Sequence, residues 1–303
     1  MKKMTALLMA FALAFACMGC GSDNAGAAEE AAPEQTAAED AAAEETETEE
    51  AAPEETEAED AAEAEAETAE TESEEPAEAE SAGTEEKSEG VMTYAEYAAA
   101  ELDTEVVVET YVQAKQSWWE DKATLYTQDQ DGAYFIYEMA CSEEDYEKLT
   151  PGTKIKVTGY KAEWSGEVEI IDATFEIVEG NYVAEAMDVT PYLGQDDLVD
   201  YQNRYVSFKG MTVEAAGQDD AGNDVAFLYK WDGSGQEGDD LYFNVSLDGA
   251  TYTFTVESYL CDSSTDVYKA VKELQIGDTI DMEGFLYWYE GANPHITAVQ
   301  AAN

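Results

Sequence analysis

The sequence predicts a mainly β protein. It reads as two tandem five-stranded Greek-key barrels, each with a short helix between its third and fourth strands, after a disordered acidic tail. Three observations carry that prediction. The stretch Leu149-x-x-Gly152-x-x-Ile155-x-x-x-Gly159-Tyr160 returns as Leu274-x-x-Gly277-x-x-Ile280-x-x-x-Gly284-Phe285. The register then holds without a gap, so that Gly166 answers Gly291, Ile171 answers Ile296 and Ala173 answers Ala298. Two long copies at a fixed offset indicate a duplicated domain, not a solenoid. Each copy also spells three strand patterns, a helix pattern and two more strands. Finally, residues 21–90 hold 28 of the 70 acidic residues and no aromatic or large aliphatic side chain.

Taken in order, the chain opens with Lys2 and Lys3 and the apolar run Met4–Ala16, the layout of a secretory signal. It ends in Cys17-Met18-Gly19-Cys20-Gly21-Ser22. This resembles the lipobox of bacterial lipoproteins, in which a small residue precedes the cysteine that is diacylated; Ala16-Cys17 is a second, weaker match. The resemblance implies a signal peptide over 1–19, lipidation at Cys20, and an extracytoplasmic chain anchored to the bacterial cell membrane. Each buried methylene of such an anchor contributes about 0.8 kcal/mol.

Residues 20–90 form the linker. Ala, Glu, Thr, Ser and Pro cannot bury enough apolar surface to offset ordering entropy, so disorder is expected. At about 3.5 Å per residue the linker reaches at most roughly 250 Å, and roughly 50 Å as a relaxed coil. The remaining residues are still acidic, and the whole chain carries a formal charge of −56. Such a field repels phosphates and favours a soluble monomer. It lacks the basic footprint of a nucleic-acid binder, so nucleic acid is a disfavoured partner.

The first copy occupies 91–180. Thr93–Glu101 reads as a leading helix. Strand patterns follow at Glu105–Ala114, Ala123–Thr127 and Tyr134–Ala140, with Asp131-Gly132 as the hairpin turn. Ser142–Leu149 opens with a cap residue and acids, marking a short helix. Lys154–Tyr160 and Val168–Ile177 complete five strands, the order of the OB-fold. Leu125-Tyr126-x-Gln128-Asp129-x-Asp131-Gly132-Ala133-Tyr134 and the repeated Leu-Gly-Ile-Gly stretch resemble OB domains of the tRNA-anticodon-binding type. In that resemblance Leu149 plugs the barrel, Ile155 and Val157 face inward, and Gly159 allows a bulge.

The second copy, 181–303, begins with a connector at Ala184–Leu198 and a first strand at Tyr205–Glu214. An insertion near 216–240 holds Gly- and Asp-rich loops around an extra strand at Val225–Trp231. Leu241–Leu247 and Thr251–Glu257 pair through Asp248-Gly249, and Thr265–Leu274 is the helix.

OB barrels bind ligands on strands two and three, between the first loop and the four-five loop. The candidate ligand face is therefore Trp118, Trp119, Tyr126 and Trp164 in the first copy, and Trp231, Trp288 and Tyr289 in the second. These could form two aromatic platforms for stacking. The competing account, that the tryptophans cover barrel ends or pack the barrels together, has somewhat more weight because Trp is usually largely buried. Asp129-x-Asp131-Gly132 and Asp219–Asp224 lack full calcium spacing, and turn chemistry explains them. His295 has no nucleophile to serve. Cys141 and Cys261 fall at equivalent positions in separate barrels, which favours free thiols. The expectation is a non-catalytic module without cofactor or metal that recognises a protein or glycan at the cell envelope. OB-fold binding of single-stranded nucleic acid is the alternative.

Overall fold

The computed structural model describes residues 86–302. Cys20, the signal segment and nearly all of the acidic linker lie outside the described residues. Both barrels belong to one unit.

In the first barrel, Thr93 caps α1 (Tyr94–Ala99) through a capping box with Glu96: each residue's backbone N–H donates to the other's side chain. Strands β1 (Glu105–Lys115), β2 (Lys122–Gln128) and β3 (Ala133–Ala140) follow, then α2 (Glu143–Tyr146) capped by Ser142. β4 (Thr153–Trp164) and β5 (Glu167–Asn181) form a longer hairpin than the pattern predicts. The sheet closes in the order β1-β2-β3-β5-β4, with β3 and β5 parallel. Val106, Val108, Leu125, Ile136, Ile155, Val157 and Ile170 fill the barrel, and Leu149 joins that core with no exposed surface. Lys161, on β4, is buried. Its ammonium donates to the Tyr97, Ala98 and Ala100 carbonyls that end α1.

The connector adds β6 (Met187–Asp188) and two 3₁₀ turns, Thr190–Tyr192 and Asp196–Tyr201. The second barrel uses β7 (Tyr205–Glu214), a small hairpin of β8 (Gly217–Gln218) and β9 (Asp224–Val225), then β10 (Phe227–Tyr229). The expected inserted strand is therefore shorter, because its start pairs within the insertion and Lys230 turns the chain at φ +58°. β11 (Leu241–Leu247), β12 (Ala250–Val256), α3 (Asp266–Glu273), β13 (Thr279–Phe285) and β14 (His295–Ala301) complete it. β7 pairs with both β11 and β13, closing the ring β7-β11-β12-β14-β13, while β10 continues along β11 where β7 leaves it. Two closed OB-like barrels result.

The repeated motif has the same structural duty in both copies. The Gly152 N–H donates to Val112 O at 2.7 Å, and the Gly277 N–H to Val213 O at 2.8 Å. At Gly159 and Gly284 the fifth strand bulges onto the fourth. A Cβ at Gly159 would lie 2.7 Å from Ile170 Cγ2 and 2.8 Å from Ile171 O. At Gly284 it would lie 2.2 Å from His295 O and 2.8 Å from Ile296 Cα. Only glycine admits that approach. The bulges differ by one residue, however. Lys161 pairs with Ile170 in the first barrel, whereas Phe285, the counterpart of Tyr160, pairs with His295 in the second. A shift of one residue exchanges faces. Ile170 thus points into its barrel, while in the second copy Ile296 does so.

Gly284→Ala should destabilise the chain by about 3 kcal/mol or more, since backbone must move. Gly159→Ala, whose nearest neighbour is a side-chain methyl, should cost less. Urea melts that rank the two in reverse would show that the bulge is not the constraint.

Candidate functional site

The outward faces of strands two and three have opposite fates in the two barrels. In the first, Tyr126 and Phe135 point away from their own core yet are 0% and 2% exposed. They form a small core with Phe285, joined by Tyr205, Leu260 and Tyr287 of the second barrel. The Tyr126 ring stacks on Phe285 at 4.5 Å, and Phe135 meets Tyr287 at 5.3 Å. Polar groups finish the seal. Tyr126 Oη lies 2.6 Å from His295 Nδ1, the Tyr205 N–H donates to Gln128 Oε1 at 2.8 Å, and Gln116 Nε2 donates to Glu257 Oε2 at 3.0 Å. Arg204 donates to Asp131 O at 2.5 Å. Tyr126, expected on a ligand face, is therefore a packing residue, because the second barrel covers that face.

Burial lowers the His295 pKa to about 3, leaving the imidazole neutral. Burial also raises the carboxyl of Glu257, 3.9 Å from it, to about 8.

The corresponding face of the second barrel is open. Along β11 and β12 the side chains Leu241, Phe243, Val245, Phe254 and Val256 turn inward. Their alternates form the cross-strand pairs Tyr242–Thr255, Asn244–Thr253 and Ser246–Thr251, so the outer surface carries hydroxyls, an amide and an aromatic ring but no charge. A cleft of about 670 Å³ lies on it. Its floor includes Tyr242, Asn244, Thr251 and Thr253. Ala216, Leu228 and Trp231 of the insertion form one wall, and Trp288, Tyr289, Ala292 and Asn293 of the four-five loop form another. The connector contributes Leu193, Gln195 and Leu198, and Tyr252 and Phe254 also line the cleft. No lining residue is charged. Thr253 donates to Asn244 Oδ1 at 2.8 Å and Thr255 to Asn293 Oδ1 at 2.9 Å, fixing both amides.

The first barrel reaches this cleft through its own four-five loop. Ser165 O accepts the Glu290 N–H at 2.7 Å, and the Trp164 ring lies 5.1 Å from Tyr289. Trp231 is 77% exposed, Trp164 54% and Tyr289 46%. The structure thus gathers Trp164, Trp231, Trp288 and Tyr289 and leaves Trp118 and Trp119 elsewhere. Trp118 donates its indole N–H to Cys141 O at 2.9 Å, and Trp119 is exposed in the turn before β2. Pattern reading missed Tyr242, Asn244, Tyr252 and Asn293. The available signal was the uncharged outer face of two paired strands in a chain so rich in acids.

The Asp-rich turns hold themselves. Asp129 Oδ1 accepts the Asp131 and Gly132 N–H groups, and its Oδ2 pairs with Lys87 at 2.8 Å. Asp219 likewise accepts the Ala221 and Asn223 N–H groups. Among the described residues no cluster of His, Cys, Asp or Glu is placed to hold a metal ion. Cys141 and Cys261 are buried and form no disulfide among the described residues, and burial pushes their thiols up to about 11 and about 12.

No protein-family model and no characterised protein matches the chain. Solved structures that it resembles include a murine DNA-binding protein bound to double-stranded DNA, at 11% identity over 65% of this chain and 96% of that one, with a TM-score of 0.30. The Ifi202 HINa domain in complex with 20-bp double-stranded DNA matches at 10% identity over 67% and 97% of the two chains, TM-score 0.30. The tetrameric p202 HIN2 domain matches at 11% identity over 67% and 96%, TM-score 0.29. At these values the likeness concerns the fold alone. These neighbours are described as complexes with double-stranded DNA and, in one case, as a tetramer, so the expected protein or glycan ligand, the disfavoured nucleic acid and the monomer find no support among them and are not carried forward. The charge of −56 is a sum over the whole chain, whereas the lining of the cleft holds no charged residue.

Proposed function

We propose that the second barrel binds nucleic acid through exposed bases of a single strand, with the first barrel as its support, and that it does so without catalysis. The uncharged aromatic cleft carries this reading. Bases offer flat π-faces that stack on Trp and Tyr irrespective of sequence, each stack being worth about 1–3 kcal/mol. The Asn and Gln amides in the cleft suit base edges, which present both donors and acceptors. A cleft of this volume lies within the usual range for enclosing a small organic group. Bases in a duplex are already stacked on one another, so a single strand is the better partner.

The acidity of the chain then shapes the salt response. Binding by Lys and Arg releases counterions and weakens steeply as salt rises. Here no cation lines the cleft, and added salt screens the repulsion between the acidic protein and the phosphates. We further propose that the chain is held outside the cell by lipid on Cys20, which would place the cleft where it meets extracellular strands.

Two measurements test these proposals. Titration of tryptophan fluorescence with an oligothymidylate should show saturable quenching whose affinity holds or rises between roughly 50 and 200 mM salt. Trp231→Ala and Trp288→Ala should each weaken it by about five-fold or more, and Trp119→Ala should leave it unchanged. Absence of quenching, or a steep loss with salt, would remove the reading. For the anchor, palmitate labelling in a bacterial host should vanish in Cys20→Ala; persistent labelling would place the lipid elsewhere.

A further inference from the structure

A buried carboxyl that no cation among the described residues neutralises joins the first barrel to the wall of the cleft. Glu167, the first residue of β5, is 0% exposed. Its Oε2 accepts the Trp288 N–H at 2.9 Å and Gln202 Nε2 at 3.2 Å. It therefore ties one strand of the first barrel to two segments of the second, and Trp288 lines the cleft.

The other oxygen is the informative one. Among the described residues Glu167 Oε1 is buried without a hydrogen-bond partner, and so is Asn203 Oδ1. The Asn203 side chain lies within hydrogen-bonding reach of the Glu167 carboxyl. Its Nδ2, however, already donates to Val168 O at 3.0 Å. Turning the amide over would offer Nδ2 to Glu167 but set Oδ1 against the Val168 carbonyl. A carboxylate, which only accepts, leaves one acceptor unmatched in either orientation. A carboxylic acid protonated on Oε1 has a donor to offer Asn203 Oδ1, which would match both atoms.

We propose that Glu167 is a positioning residue that works in its protonated form. Its neutral carboxyl holds the Gln202-Asn203 turn and the Trp288 backbone against the first barrel; once ionised it gains more from hydration than from its Trp288 and Gln202 N–H donors, so the junction opens and releases the Trp288 wall of the cleft. The effect on ligand rests on the reading of the cleft given above; the hold on Trp288 does not.

The surroundings favour the proton. Burial raises the Glu167 carboxyl from 4.5 to about 8, and the like charge of Glu169 on the same strand adds to this; the contacts with Asn203, the Trp288 N–H and Gln202 pull the other way without offsetting burial. Glu169 is itself raised to about 7, first by burial and then by Glu138. From other elements the titratable groups that feel Glu167 are Tyr97 of α1, Tyr126 of β2 and Tyr287 after β13, phenols that burial keeps un-ionised. Among the described residues no lysine or arginine forms an ion pair with Glu167. The sign follows from linkage. A carboxyl raised in the fold stabilises fully below 4.5, loses that contribution as pH rises, and has lost it above about 8.

The full chain labelled with ¹⁵N-tryptophan supplies a test that needs no ligand. The Trp288 backbone amide, assigned through Trp288→Phe, should titrate with a midpoint at about 8 in the wild type. It should still titrate in Glu169→Gln and should cease to do so in Glu167→Gln, a neutral isostere that keeps the wild-type fold. No titration, a midpoint in the ordinary glutamate range, or a titration that survives Glu167→Gln would overturn the proposal. In a second arm, oligothymidylate affinity should fall several-fold as pH rises through that midpoint in the wild type and stay level in Glu167→Gln. Equal pH dependence in the two would overturn the coupling to ligand. If the oligonucleotide binds neither protein, the reading of the cleft fails while the amide titration still decides the role of Glu167.

Discussion

The burial of one aromatic face by the neighbouring barrel is the constraint on which the rest of the structure depends. Tyr126 and Phe135 would be the ligand surface of an isolated OB barrel; here Phe285 and Tyr287 lie on them. Each large apolar side chain removed from water contributes about 1.5–3 kcal/mol, so a few rings suffice to hold two barrels as one body. Three consequences follow together. The outer face of strands two and three is covered in the first barrel, the two four-five loops are brought into contact, and Trp164 becomes a neighbour of Tyr289 beside the open face of the second.

The polar rim of that junction suits an acidic chain. With 14 basic residues against 70 acids, there are too few cations to pair every carboxylate that packing encloses. Arg204, the sole arginine, serves the junction by donating to a backbone carbonyl. The remaining partners are neutral: Tyr126 with His295, Gln116 with Glu257, Gln202 with Glu167. Burying an unpaired charge costs far more than burying a neutral hydrogen-bonding group. Protonated carboxyls and an uncharged imidazole are thus the economical way to fill such an interface, and the upward shifts of Glu167 and Glu257 and the downward shift of His295 are one effect seen from both sides.

Much of the fold was legible because its determinants are local. Ser142 caps the helix it was expected to cap, Thr93 and Thr265, read as the first residues of theirs, prove to be the caps, and period-two patterns mark the strands to within a few residues. The glycine of each bulge was legible too, since the offset between copies exposed it. The closed and open faces were not. Tyr126 and Tyr242 occupy comparable outward places on second strands, and nothing within either strand says which will be covered; that depends on Phe285 and Tyr287, more than 150 positions from Tyr126 along the chain. The insertion hid the cleft in a similar way, because Trp231 and Leu228 meet Tyr242 only once β10 has paired along β11.

The duplication itself explains why only one copy keeps its face. Sequence register sets His295 against Ile170, and an apolar core position would be a poor place for an imidazole. The one-residue difference between the two bulges resolves the conflict. It turns Ile296 into the second barrel and His295 out of it, toward Tyr126 of the first. Two copies with identical bulges would both point this side chain inward and have no polar contact at that spot. A small asymmetry in how strand five meets a glycine on strand four therefore goes with the covered face of one barrel and the open face of the other. Because Gly284 permits that approach and His295 O is the atom it admits, the repeat motif and this asymmetry have the same physical origin.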